Sequence, residues 1–209
     1  VPTGAAFGPV SVIVNNRTAE SDDFFLPTFS GEYPTIDAST LAGSVDFSTG
    51  SNPTRAAIGD LDGDGKLDVA AANGGSATVS VFRNTSSSGT IDGSSFAAKV
   101  DFTTGTGPDY VAIGDLDGDG KPEIVVANNN FSTGTTMSVY RNTSVSGTID
   151  ASSFAAKVDF TTGPGPYGVV IGDLDGDGKP DLAVAAWGTP AVSVYRNTSI
   201  PGTLDASSF

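Results

Sequence analysis

Cysteine and histidine are both missing from this chain of 209 residues. Without cysteine there is no disulfide and no thiolate zinc site. Without histidine the commonest general base is gone, and with it the Ser–His and Cys–His nucleophile pairs. Acid–base work would fall to carboxylates, and those outside the acidic loops described below show no paired pattern, so the chain is not expected to be an enzyme. Positive charge is scarce as well: 10 basic residues face 24 acidic ones, for a net charge of −14. A nucleic-acid partner needs a basic face, so that class is excluded, and the acidic excess points to solubility or to cation binding. No apolar run reaches the roughly 18 residues of a membrane-spanning helix, so no membrane insertion is expected. No signal peptide is visible, and Val1 is an improbable initiator, so the chain reads as a mature or excised piece of something longer. No stretch keeps a helical period of useful length, which makes the expected fold class all-β.

Repetition is what the sequence does have. "IGDLDGDGKLDVAAAN" at 58–73 returns as "IGDLDGDGKPEIVVAN" at 113–128 and "IGDLDGDGKPDLAVAA" at 171–186. "SSFAAKVDFTTG" recurs from Ser94 and Ser152, and "VSVFRNTSSSGTID" at 79–92 has counterparts from Met137 and Val192. Each unit reads as four short strands, in the second unit "YVAIGDL", "EIVVANN", "MSVYRN" and "FAAKVDF", separated by Gly, Asn, Asp, Ser, Thr and Pro. The first two are near-continuous apolar runs, as in strands buried on both faces, and the third alternates. Four-stranded units of this length are what the blades of a β-propeller require.

The acidic loops put four like charges in nine residues, a costly arrangement unless a cation sits among them. Their pattern is D-x-D-x-D-G-x-x-[DE]. Positions 1, 3 and 5 can turn carboxylates toward one centre, glycine at 6 permits the sharp turn, position 7 offers its backbone carbonyl, and position 9 closes the shell. The candidate ligands are Asp60, Asp62, Asp64, Lys66 and Asp68; then Asp115, Asp117, Asp119, Lys121 and Glu123; then Asp173, Asp175, Asp177, Lys179 and Asp181, the lysines acting through their carbonyls. Calcium takes 6–8 oxygens in flexible geometry, whereas magnesium demands a rigid octahedron and keeps waters, so three Ca²⁺ sites are expected. The loop is not an EF-hand, because position 12 is Ala71, Val126 or Val184 inside a strand rather than a bidentate glutamate.

"DLDGDGKPDLAVA" with its following "VSVYRN" strand resembles the FG-GAP, or VCBS, repeat of integrin-α-like β-propellers. The resemblance extends over 41–209 and partly over 9–18. It implies that the acidic loop joins the first two strands of a blade and binds calcium there. The phenylalanine-glycine and glycine-alanine-proline motifs of that family are poorly kept, with "FTTGTG" and "AANGG" in their place, so an integrin-like ligand is not implied.

Two further sets of residues attract attention. Five N-x-[ST] sequons fall at Asn16, Asn84, Asn130, Asn142 and Asn197, and Asn84, Asn142 and Asn197 share one repeat position. They read equally as N-glycosylation sites in a secreted protein or as Asn-Thr-Ser turns that cap a strand end. Trp187, Tyr167, Tyr195 and the Phe24–Phe25 pair read first as packing between blades or at the ends of the array, and second as platforms for a sugar.

The expected organisation is a partial propeller. Residues 1–50 form an N-terminal partial blade, with 9–18 as a third strand, 41–50 as a fourth and an insertion at 19–40. Blades follow at 51–104 and 105–162, and a last one, at 163–209, lacks its fourth strand. The expected function is that of a secreted, extracellular or cell-surface calcium-binding repeat protein for adhesion or structural assembly. Its partners would be other copies of itself or neighbouring blades, with a glycan or cell-surface protein as a further ligand. The alternatives are a lectin-like propeller and a non-catalytic propeller domain of an exported enzyme.

Overall fold

A computed structural model of the chain describes residues 43–209 in full and the backbone of two strands before them, β1 (Pro9–Val14) and β2 (Arg17–Phe24). β1 and β2 pair antiparallel as a two-stranded ribbon within a separate unit spanning Val1–Ser44. The stretch 9–18, read as a third strand, therefore holds β1 and the first residues of β2, which pair with each other. Phe25, and the remainder of the proposed insertion at 19–40 beyond β2, lie outside the described residues, as does Asn16.

Val45–Phe209 forms the second unit, all-β among the described residues. Its first sheet holds β3 (Pro53–Gly59), β4 (Asp68–Asn73), β5 (Thr78–Phe82) and β6 (Val100–Thr103), antiparallel and in chain order. The second repeats it with β7 (Pro108–Gly114), β8 (Glu123–Asn128), β9 (Thr136–Tyr140) and β10 (Val158–Thr161). The third stops at three strands, β11 (Pro166–Gly172), β12 (Asp181–Ala186) and β13 (Ala191–Tyr195). The first strands lie side by side, β3 against β7 and β7 against β11, so consecutive sheets stack as blades of an open, partial propeller.

The interfaces between blades are the core. Ala70, Ala72, Val79 and Val81 on one face of the first blade meet Val111, Ile124, Val126, Tyr140 and Phe154 of the second. One unit on, Val125, Ala127, Met137, Val139 and Phe160 meet Val169, Leu182, Val184, Leu204 and Phe209. Because a central strand presents one face to each neighbour, β8 is buried along its whole length, which is why it reads as a continuous apolar run. β9 alternates in sequence but is also buried from Met137 onward: Ser138 accepts from Asn128 Nδ2 at 3.0 Å and donates to Asp159 at 2.6 Å, so its polar face is satisfied inside the sheet.

Residues 43–49, expected in part as a fourth strand, belong to no strand. Phe47 still occupies the repeat's aromatic position. It meets Phe96 edge-on at 5.0 Å, as Phe102 meets Phe154 at 5.1 Å and Phe160 meets Phe209 at 5.3 Å.

Candidate metal loops and their neighbours

Each acidic loop joins the first strand of a blade to the second. Glycine at the fourth and sixth positions lets it fold: Gly63, Gly118 and Gly176 have φ between 67° and 80°, and Gly65, Gly120 and Gly178 lie at 86–87°. Side chains with a Cβ are strained there. The chain thereby wraps round the first carboxylate, so that Asp60 accepts from the amides of Asp64 (3.1 Å) and Gly65 (2.9 Å). Asp115 and Asp173 repeat the Gly120 and Gly178 bonds at 3.0 and 2.9 Å.

Three carboxylates per loop converge. Asp60, Asp62 and Asp68 bring ligand oxygens within 4.8 Å of one another, as do Asp115, Asp117 and Glu123, and Asp173, Asp175 and Asp181. These are positions 1, 3 and 9. Position 5 (Asp64, Asp119, Asp177) is not in the triplets; arginine from the end of the third strand reaches it instead. Arg196 bonds Asp175 at 2.5 Å and Asp177 at 2.8 Å, Arg141 bonds Asp117 at 2.9 Å and approaches Asp119 at 3.6 Å, and Arg83 is 4.0 Å from Asp64. Two of the lysines send their side chains to backbone carbonyls rather than to the triplets. Lys121 Nζ donates to the Ser144 carbonyl and Lys179 Nζ to that of Ser199, at 2.8 and 2.7 Å.

Position 9 is the strut of the loop. Both oxygens of Asp68 accept backbone amides, Leu61 at 2.9 Å and Asn84 at 2.8 Å, and Glu123 and Asp181 do the same with Leu116 and Asn142, and with Leu174 and Asn197. A carboxylate has about four lone-pair sites, so two remain for a cation. Burial nonetheless disfavours the charge, more than these amides restore: the carboxyl of Asp68 is pushed up to about 6 and that of Glu123 to about 7, with the neighbouring aspartates adding to the rise. Asp62 is also raised, by burial first, and its Oδ2 is buried with no hydrogen-bond partner. Buried, deprotonation-averse and partly orphaned oxygens in a tight triplet fit a divalent cation, whose charge would reverse each of these penalties.

The Asn-Thr-Ser position does something the sequence did not disclose. Asn142 Nδ2 donates to the Leu61 carbonyl of the preceding blade's loop at 2.8 Å and to Pro122 of its own blade at 2.9 Å, while its Oδ1 accepts from Ser144. Ser144 Oγ adds a second bond to Leu61, and Gly147 N reaches the Asp62 carbonyl. Asn197, Ser199 and Gly202 repeat this on Leu116 and Asp117. The first and second acidic loops are thus each pinned by the next blade, and a glycan on Asn142 or Asn197 would break the pin that residue makes, since these side chains are fully buried. Asn84 bonds only within its own blade, donating to Leu67 O and accepting from Ser86 N, and Asn130 bonds Thr133. The signal available in sequence was the fixed distance of the R-N-T-S segment from the acidic loop.

Among the described residues, nothing covers the third loop in this way. Leu174 is 60% exposed where Leu61 and Leu116 are 1% exposed, and Asp173 and Asp175 are exposed too. There Arg196 holds Asp175 below the usual carboxylate range, the reverse of buried Asp62. Of the aromatic candidates, Tyr195 packs between blades and donates to the Thr161 carbonyl at 2.8 Å, whereas Tyr167 and Trp187 stand exposed at the other rim.

Blades stacked through their faces, each with an acidic loop between its first two strands, define a β-propeller repeat protein with three candidate metal loops. The FG-GAP-like repeat profile matches residues 60–126 and again 115–184. The chain belongs to this FG-GAP-like family. No curated protein and no solved structure shows significant similarity to it.

Proposed function

We propose that this chain is an extracellular, calcium-stabilised scaffold that serves adhesion or structural assembly by stacking blades head to tail. Calcium is the cation that suits the loops, being satisfied by irregular shells of 6–8 oxygens that mix carboxylates and backbone carbonyls. Membership of the FG-GAP-like family supports the extracellular reading, and no helix among the described residues is long and apolar enough to cross a membrane.

One observation carries the assembly reading. Val170, Val192 and Val194 on the outer face of the third blade are 62%, 64% and 60% exposed. Their repeat equivalents, Ala112, Met137 and Val139 in the second blade and Ala57, Val79 and Val81 in the first, pack against the next blade. The same blade carries the uncovered third loop, whose Leu174 carbonyl is the counterpart of those pinned by Asn142 and Asn197. The repeat equivalents of the partner surface stand on the first blade: Asn84 and Ser86 at the pin positions, and Val69, Ala71, Phe82 and Phe96 lining a cavity of about 330 Å³.

Light scattering in calcium tests this. The parent chain is expected to show dimers or longer chains, and Val194→Glu, which puts a charge on the exposed face, to be monomeric with an unchanged melt. A parent that is monomeric at high concentration in calcium refutes the assembly, and assigns the face to a repeat supplied in some other way.

A further inference from the structure

Near-identical repeats make their own differences visible. Two of the positions that differ in all three blades matter here: Thr54, Asp109 and Tyr167, each second in the innermost strand, and Gly74, Asn129 and Trp187, each just after the second strand. Residues that hold a repeat together recur in it, as the acidic loops and the R-N-T segments do. These two positions do not recur, yet all six side chains or backbones line one cup of about 280 Å³. The cup sits where the innermost strands begin, about 20 Å from the metal loops at the other ends of these seven-residue strands.

The cup is also where the repeat length changes. The second blade's loop, "NNNFSTGT", is three residues longer than its counterparts, and Asn130, Phe131 and Ser132 lie consecutively at positive φ (45°, 54° and 72°). Three successive non-glycine residues in this region are strained, and strain of this kind collects at ligand clamps. Its result is to hold Phe131 out in solvent at 88% exposure in the lining of the cup, which also carries Trp187, 76% exposed, and Tyr167, whose ring centroid lies 6.5 Å from that of Trp187. The frame behind it is fixed by backbone: Thr54 Oγ1 donates to Pro108 O, Gly165 N to Gly134 O, and Trp187 N to Gly165 O. Asp109 stands in the wall with its Oδ2 buried and without a hydrogen-bond partner.

We infer that this cup binds a neutral saccharide, one ring stacking between the Trp187 and Phe131 faces while its hydroxyls bond Asp109 and the Asn52 and Asn129 amides. Flat exposed aromatics with a few convergent acceptors and amide donors suit the apolar face and hydroxyl rim of a sugar ring. A carboxylate that lacks a donor is relieved by a hydroxyl after a small rotation. An anionic sugar is disfavoured by Asp109 and by the chain's −14 charge. A cationic ligand is disfavoured because Arg55 already lies 5.7 Å from the Tyr167 ring centroid and donates to its hydroxyl. The volume is near the lower end of ligand pockets, so one ring of a longer glycan is the unit held.

Trp187 is the chain's one tryptophan, so its fluorescence reports on the cup directly. The probes are glucose, galactose, mannose, N-acetylglucosamine and their disaccharides, titrated into the calcium-loaded chain. At least one is expected to give a saturable change. Asp109→Ala should weaken that binding about tenfold, the loss that goes with one charge-assisted hydrogen bond. Phe131→Ser, at a side chain too exposed to affect folding, should weaken it several-fold. The inference is overturned if no sugar in the panel alters the fluorescence up to roughly 10 mM. It is equally overturned if both variants bind like the parent, or if choline or arginine produces the change and the sugars do not. Because Asp109 and Phe131, the residues changed, line the cup and not the end-face cavity, light scattering of the same samples judges assembly independently.

Discussion

Replacing Asn142 by alanine isolates the pin between a blade and the acidic loop before it. The side chain is fully buried and makes three hydrogen bonds, to Leu61 O, Pro122 O and Ser144 N, at 2.8–2.9 Å. Alanine leaves Pro122 O and Ser144 N without these partners, while Leu61 O keeps its bond from Ser144 Oγ. An orphaned buried group costs about 1–3 kcal/mol, so the loss is at least about 2 kcal/mol. For a domain of this size that corresponds to a fall in melting temperature of roughly 4–8 °C. Asn84→Ala is the control. It occupies the same repeat position but is only partly buried and bonds Leu67 O and Ser86 N, with no partner in a preceding blade, so a loss near 1 kcal/mol is expected. Denaturant unfolding of both variants in saturating calcium measures the difference. If the two cost the same, or Asn142→Ala costs under about 1 kcal/mol, the cross-blade pin is not a significant source of stability.

The three loops should not bind calcium equally. Titration calorimetry is expected to resolve two tighter sites and one weaker one at the exposed third loop, and Asp117→Ala should remove one tight site and leave the others, because repeat contacts are nearest-neighbour. Loss of all three sites, or of none, would contradict the ligand assignment. For pH, the raised carboxyls of Asp68 (about 6) and Glu123 (about 7) mean that the metal-free folded chain holds protons more tightly than the unfolded one. That contribution to stability is fully present below the unfolded values and is lost as pH rises through the folded ones. Metal-free protein should therefore melt at progressively lower temperature from pH 5 to pH 8. Saturating calcium, which needs the deprotonated carboxylates, should flatten or reverse the slope and raise the melt above the metal-free one throughout. A metal-free melt that rises over this window would show that the position-9 carboxyls are not buried as described.

Local chemistry made much of this protein legible in advance. The turn residues and the alternation of apolar runs and Gly-Asp loops fix strands of four to seven residues, and the threefold recurrence of "DLDGDGK" fixes both the blade and the carboxylates of its loop. These are short-range effects, carried by spacing along the chain. What spacing does not carry is which atoms face each other across blades. The position-5 aspartates belong to the loop pattern, but Arg83, Arg141 and Arg196 reach toward them from strands more than fifteen residues away. The sequons read equally as surface modification sites until Asn142 and Asn197 are seen to reach 81 residues back to carbonyls of the previous loop. Tyr195 and Trp187 look alike as aromatic candidates, eight residues apart, yet one lies between blades and the other faces solvent. Burial at such positions is set by whether a neighbouring sheet stacks on that face, and stacking is a property of the assembled blades rather than of any one repeat.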